Sequence, residues 1–208
     1  MYSSSVVHDS SRWPPSRASS RATFAEVKFD VLICPHGTND HREHMPVEIG
    51  WYLYHADGRK IKEGPLNAEA KPLSDTHVDT LDIGGLASDA ELRNLLLFLE
   101  MQVKGEIVSE NLVLFARPKH IDIQRPDIST EIRENSETSF TISLSASRSA
   151  LWSWLELPGR GASYSDNFIH LRPGRPSKID ISTQKPMSIE ALSDRLKGQS
   201  LINTFHAG

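Results

Sequence analysis

The stretch Leu151-Trp-Ser-Trp-Leu-Glu-Leu-Pro-Gly-Arg-Gly-Ala-Ser-Tyr-Ser-Asp-Asn-Phe-Ile-His-Leu-Arg-Pro-Gly174 decides how the rest of the chain is read. It opens as a strand. Leu151, Ser153, Leu155 and Leu157 fall on one side, and Trp152, Trp154 and Glu156 on the other, so the period of two places bulk on both faces and predicts a strand covered on both. Pro158-Gly159 ends it, and Gly159-Arg-Gly161 predicts a loop in which two residues can take positive φ. The short polar side chains of Ser165-Asp166-Asn167 predict a tight turn that bonds back to the backbone. Phe168, Ile169 and Leu171 then return to the core before Pro173-Gly174. The pattern is that of a small β-sandwich core and carries no catalytic signature.

Working outward, further strands are expected at Ile128 to Arg133, Ser139 to Ala146, Asn167 to Leu171 and Lys178 to Ser182. Phe140, Ile142 and Leu144 alternate cleanly with Thr141, Ser143 and Ser145, the mark of a half-buried strand. Ser188 is placed to cap a short helix carrying Ile189, Leu192 and Leu196 on one face, with Gly198 as its stop. Upstream, Phe24 to Cys34 is rich in strand formers, and Pro35 to Pro46 reads as a polar loop. Val47 to Tyr54 is a strand with Val47, Ile49, Trp51 and Leu53 on one face, turning at Asp57-Gly58 into a short return strand, Lys60 to Glu63. Lys71 to Asp75 reads as a loop, and Asp89 to Asn94 as one helical turn. Leu95 to Val103 and Ile107 to Phe115 form a hairpin about Lys104-Gly105. Many short strands with no long helical period predict an all-β chain: two consecutive β-sandwich, immunoglobulin-like domains with a short C-terminal helix. The expected divisions are a leader at 1–22, a sandwich at 23–123, a smaller immunoglobulin-like domain at 124–186, and a helix and tail at 187–208, with the Pro118 to Pro126 region as the boundary.

The quoted stretch resembles the last immunoglobulin-like domain of β-mannosidases of glycoside hydrolase family 2. Ser109-Glu-Asn-Leu-Val-Leu-Phe-Ala-Arg-Pro-Lys-His120 is similar to the strand and linker that precede that domain in the same enzymes. Trp51-Tyr-Leu-Tyr-His-Ala-Asp-Gly-Arg-Lys-Ile61 is similar to a hairpin of the preceding sandwich. The resemblance carried by the three covers roughly residues 24 to 206. In the family the chemistry lies in a (β/α)8 barrel of about 250 residues, more than these 208. The resemblance therefore implies a non-catalytic accessory region, partnered in cis or in trans by a β-mannosidase barrel that hydrolyses terminal β-linked mannose. It also implies that the end at Ser200 to Phe205 is native and that the N-terminal side is truncated. The alternative, of a different class, is a free-standing carbohydrate-binding sandwich module.

A chain with 38% hydrophobic and 24% charged residues has the composition of a soluble globular protein, and a net charge of -4 gives no basis for a nucleic-acid or anionic-membrane partner. Cys34 is the single cysteine, so no intrachain disulfide can form; a semi-buried strand position suits it better than a nucleophile's. No apolar run approaches the roughly 20 residues of a membrane helix, and the Ser- and Arg-rich start lacks a signal core, which favours a cytoplasmic setting while leaving the compartment open.

Candidate chemistry is sparse. His36-x4-His41-x2-His44, with Asp40 and Glu43 between, has the right residue types for a metal but the spacing of no usual site, and reads as a solvated loop. Retaining glycoside hydrolysis needs two carboxyl groups about 5 Å apart, and strand periodicity alone brings no pair among Glu48, Glu100, Glu106, Glu156 and Asp166 into a cleft. No nucleophile elbow occurs, and Gly159-x-Gly161 lacks the context of a phosphate loop, so no catalytic residue, metal or cofactor is assigned. Aromatic rings remain as sugar-stacking surfaces. Most of Trp51, Tyr52, Tyr54, Trp152, Trp154 and Tyr164 are expected in the core. Trp154, Tyr164 and Tyr52 are the candidate carbohydrate contacts.

Overall fold

A computed structural model describes residues 32–33, 35–39, 42–86, 88–159 and 161–205. The leader, most of the strand expected at Phe24 to Cys34, and Cys34, Asp40 and His41 lie outside these residues. The described residues divide into two compact units, one from 32–53 with 61–118 and the other from 54–60 with 119–205.

The first unit contains β1 (Leu32–Ile33), β2 (His36–Asn39), β3 (Met45–His55), β4 (Lys60–Ala70), β5 (Ser74–His77), β6 (Leu81–Asp82), β7 (Leu95–Val103) and β8 (Glu106–Leu114), with one helical turn, α1 (Asp89–Leu92), before β7. Four strands form a sheet in the order β4-β3-β7-β8, and two antiparallel ribbons pair β1 with β6 and β2 with β5. Val47, Ile49, Trp51 and Leu53 share one buried core with Leu95, Leu97, Leu99 and Met101. The opposite side of β7 is closed as well: Leu96, Phe98 and Glu100 are all buried. Lys104 and Gly105 both take positive φ, as a two-residue I′ hairpin turn requires. Glu91 supports α1 by accepting hydrogen bonds from the N–H and the hydroxyl of Ser88, at 3.1 and 2.7 Å.

Three expectations in this unit change. Pro35 to Pro46 is not wholly loop, because β2 pairs with β5, whose residues lie partly in the expected Lys71 to Asp75 loop. Buried Asn39 anchors this ribbon by donating to the carbonyls of Glu43 at 2.9 Å and Ala70 at 3.1 Å. The return strand does not stop at Glu63 but runs through Gly64-Pro65 to Ala70. Pro65 is accommodated because β4 is an edge strand, where a proline without an N–H need not cost a ladder bond.

The second unit contains β9 (Ile128–Ser136), β10 (Ser139–Ala146), β11 (Ala150–Glu156), β12 (Ala162–Tyr164), β13 (Ile169–Leu171), β14 (Ser177–Thr183), α2 (Ile189–Ser193), β15 (Lys197–Gln199) and α3 (Leu201–Phe205). Its sheets run β12-β14-β10-β9 and β13-β11-β15. Phe140, Ile142, Leu144, Ile179 and Ile181 of the first sheet meet Leu155 and Leu171 of the second in one core, which Leu157, Met187 and Leu192 extend. This is an immunoglobulin-like sandwich in which inward positions alternate with wetted ones.

The Ser188 hydroxyl accepts from the Ala191 N–H at 3.3 Å and caps α2, whose Leu192 is fully buried. Gly198 does not stop that helix. The helix ends at Asp194, and Gly198 lies in β15 opposite Leu155. Gly159 takes positive φ, whereas Gly161 does not; a Cβ on Gly161 would lie 2.6 Å from the Gln184 side chain, so close approach is the constraint there.

Candidate functional site

β11 hides one face and shows the other. Leu151, Ser153 and Leu155 are buried, while Trp152 and Trp154 are half-buried and Glu156 is exposed. The expectation of a strand covered on both faces therefore fails at this point: amphipathic indoles and a carboxylate can face water where Leu and Phe cannot do so cheaply.

The segment after β12 arranges this open face. The Asn167 side chain clamps the Leu155 backbone, its Oδ1 accepting from the Leu155 N–H at 2.8 Å and its Nδ2 donating to the Leu155 carbonyl at 3.1 Å. Asp166 Oδ1 accepts from the Asn167 N–H at 2.7 Å and fixes the turn. Phe168 follows with φ 61°, a left-handed conformation that is an outlier for a bulky residue. Its ring does not return to the core as expected. It is 60% exposed and lies against Trp154, with centroids 5.7 Å apart and planes at 26°. Trp152 also takes positive φ, 44°, in the register irregularity between Ala150 and Ser153. Its backbone N–H donates to His170 Nδ1 at 3.2 Å, and the two rings meet edge to face with centroids 4.9 Å apart. On the β15 side, Trp154 lies opposite Gln199, whose Nε2 donates to Glu156 Oε2 at 3.3 Å.

The three residues named from sequence are not equivalent. Trp154 belongs to this aromatic strip. Tyr164, on β12, is half-buried, and its hydroxyl accepts from the Leu157 N–H at 3.0 Å, a structural task. Burial raises its phenol above the ordinary value of 10.0, partly offset by that N–H, so its contribution to stability is present below pH 10 and lost as the pH rises through the raised value. Tyr52 belongs to the first unit, on β3, with its hydroxyl close to Gly50. Sequence reasoning missed Phe168 and Gln199 as surface partners. Only the adjacency of Phe168 to an Asx turn hinted at an unusual backbone.

The carboxylates show one unforeseen juxtaposition. Glu100 of β7 is directly opposite Glu110 of β8. Glu100 is buried, Glu110 is exposed, and each has its own interactions. His44 Nδ1 lies 3.3 Å from Glu69 Oε1. Among the described residues, no group of three or more His, Cys, Asp or Glu side chains is placed to hold a metal, and no helix is long and apolar enough to cross a membrane.

Comparison with known proteins agrees with this architecture. Residues 35–120 match the family model of a mannosidase Ig/CBM-like domain, and residues 123–204 match that of the mannosidase Ig-fold domain. A sequence search of curated proteins returns no match. Among solved structures, the β-D-mannosidase of Dictyoglomus thermophilum aligns with a TM-score of 0.68 at 18% identity, over 82% of this chain and 20% of that one. The exo-chitosanase of Amycolatopsis orientalis aligns with a TM-score of 0.54 at 11% identity, over 79% and 24%. The chain thus spans about a fifth to a quarter of these enzymes' length. Residues 35–120 are thus a mannosidase Ig/CBM-like domain and residues 123–204 a mannosidase Ig-fold domain.

Proposed function

We propose that this chain is a non-catalytic accessory region of a β-mannosidase-like glycosidase, acting to support a catalytic barrel carried in cis or supplied in trans. The observation that carries the reading is the order of the two domains. A mannosidase Ig/CBM-like domain is followed directly by a mannosidase-type Ig-fold domain, and the pair aligns over 82% of this chain with a β-mannosidase. A barrel of about 250 residues does not fit within 208. The parent activity proposed is hydrolysis of terminal β-D-mannose residues with retention of configuration, which needs two carboxyl groups flanking the glycosidic bond. The same reading divides the chain into a leader (1–22), a first sandwich (23–123), a second (124–186) and a closing helix and tail (187–208).

Two measurements test it together. The purified 208-residue chain should release no 4-nitrophenol from 4-nitrophenyl β-D-mannopyranoside. An antibody raised against residues 123–204 should deplete that same activity from extracts of the source cells. Hydrolysis by the pure chain would overturn the non-catalytic role, and undiminished activity after depletion of the chain would overturn the link to a β-mannosidase.

A further inference from the structure

The open face of β11 has a chemistry that support of a barrel does not require. We propose that Phe168 and Trp154, together with Glu156 and Gln199, form a binding platform for pyranose units of a β-linked glycan. The platform lies wholly within the second unit and does not depend on a barrel being present.

Phe168 makes two locally unfavourable choices. It leaves 60% of an aromatic residue in water, and it adopts a left-handed backbone that Asn or Gly would take with less strain. An outlier of this kind points to a task outside the folding of its own turn. The stacking geometry suggests the task. One face of the phenyl ring is backed by Trp154 at 26°, leaving the ring pre-set and able to receive a ligand with little loss of side-chain freedom. The Asn167 clamp on Leu155 fixes the backbone immediately before it.

The rim selects for sugar. A pyranose presents a face of C–H bonds edged by hydroxyls, and it needs a flat ring beside planar groups that both donate and accept. Glu156 and Gln199 supply a carboxylate and an amide, held together at 3.3 Å and retaining further hydrogen-bonding capacity. Lys197 lies opposite Glu156 on β15 and adds a donor at the edge. A protein-docking face would be expected to present a wider apolar patch. Here the aromatic pair has a charged and amide border.

The test is a titration of the 208-residue chain with β-1,4-mannohexaose, followed by the indole N–H signals of its tryptophans in heteronuclear NMR, with β-1,4-linked hexamers of glucose, xylose and glucosamine in parallel. The expected result is a saturable shift of the Trp154 indole signal with at least one of the four. Phe168→Asn keeps a residue at ease in the left-handed backbone while removing the ring, and should weaken binding by about tenfold or more. Glu156→Gln should weaken it by roughly threefold to tenfold, and Ile107→Thr, at an exposed position of the first unit, should leave it unchanged. A natively folded chain whose Trp154 signal is silent to all four hexamers overturns the proposal. So does binding that survives Phe168→Asn, or a Trp154 signal that responds only to an added catalytic domain. Each of these would leave the accessory role intact. Activity that persists after depletion of the chain would remove that role without touching the platform.

Discussion

β7 and β11 are both interior strands of their sheets, and both carry bulky residues on alternate sides, yet they are covered differently. In β7 every residue from Leu95 to Met101 is buried, even Glu100. In β11 the Leu side is closed while Trp152, Trp154 and Glu156 face outward. Alternating bulk therefore does not report on its own whether a second face is covered. The kind of bulk does: Leu and Phe lose roughly 1.5–3 kcal/mol if left in water, whereas an indole tolerates a half-wet position. A strand with Trp and Glu on one side is better read as having a surface to show.

The largest effects should come from β7. Leu96→Ala and Leu97→Ala, on opposite faces, should each destabilise the chain by about 3 kcal/mol in urea unfolding, because both side chains are fully buried. A cost below about 1 kcal/mol for Leu96→Ala would mean that the outward face is not closed, and the contrast with β11 would collapse. Next comes the clamp. Asn167→Ala removes two hydrogen bonds to the Leu155 backbone and should cost about 2 kcal/mol; it should also free the Phe168 ring, measurable as a loss of its nuclear Overhauser contacts with Trp154.

Phe168→Asn sharpens the contrast from the other side. The phenyl ring is largely exposed and its backbone is strained, so melting should be unchanged or improved by up to about 1 kcal/mol. A loss of more than about 1 kcal/mol would show that the ring is part of the fold's stability rather than of its surface.

The smallest effect lies in the Ala56–Arg59 turn. Asp57 is held below its ordinary 3.8, chiefly because its carboxylate accepts from the Arg59 N–H at 2.9 Å, with His55 adding to the effect. A lowered folded-state value means that the turn's stabilisation is present above pH 3.8 and is lost as the pH falls through that lower value. The Arg59 amide shift should follow this titration in the native chain and lose it in Asp57→Asn.

Much of the architecture was legible in local pattern. The Phe140-Ile142-Leu144 alternation, the Val47-Ile49-Trp51-Leu53 face and the Lys104-Gly105 turn each depend on neighbours within a few residues, and each appears as expected. β5, β12 and β15 were not legible, because Ser-Asp-Thr-His, Ala-Ser-Tyr and Lys-Gly-Gln carry little strand signal of their own. They are extended because β2, β14 and β11 offer backbone groups that need pairing. The Pro65 strand was hidden for a related reason: edge or interior position is a property of the assembled sheet, not of the segment.

The candidate site divides along the same line. From residue types alone, Trp154 stood out as a ring able to stack on a sugar, and the chain's all-β, two-sandwich character followed from its periodicity and turns. Tertiary structure alone decided that Tyr164 spends its hydroxyl on Leu157, that Phe168 stacks on Trp154 instead of entering the core, and that Gln199 arrives beside Glu156 from 43 residues away. Local sequence sets the period and the turns because those energies involve adjacent residues. Which face stays open depends on what packs from elsewhere in the chain, and only the folded sheet brings those groups together.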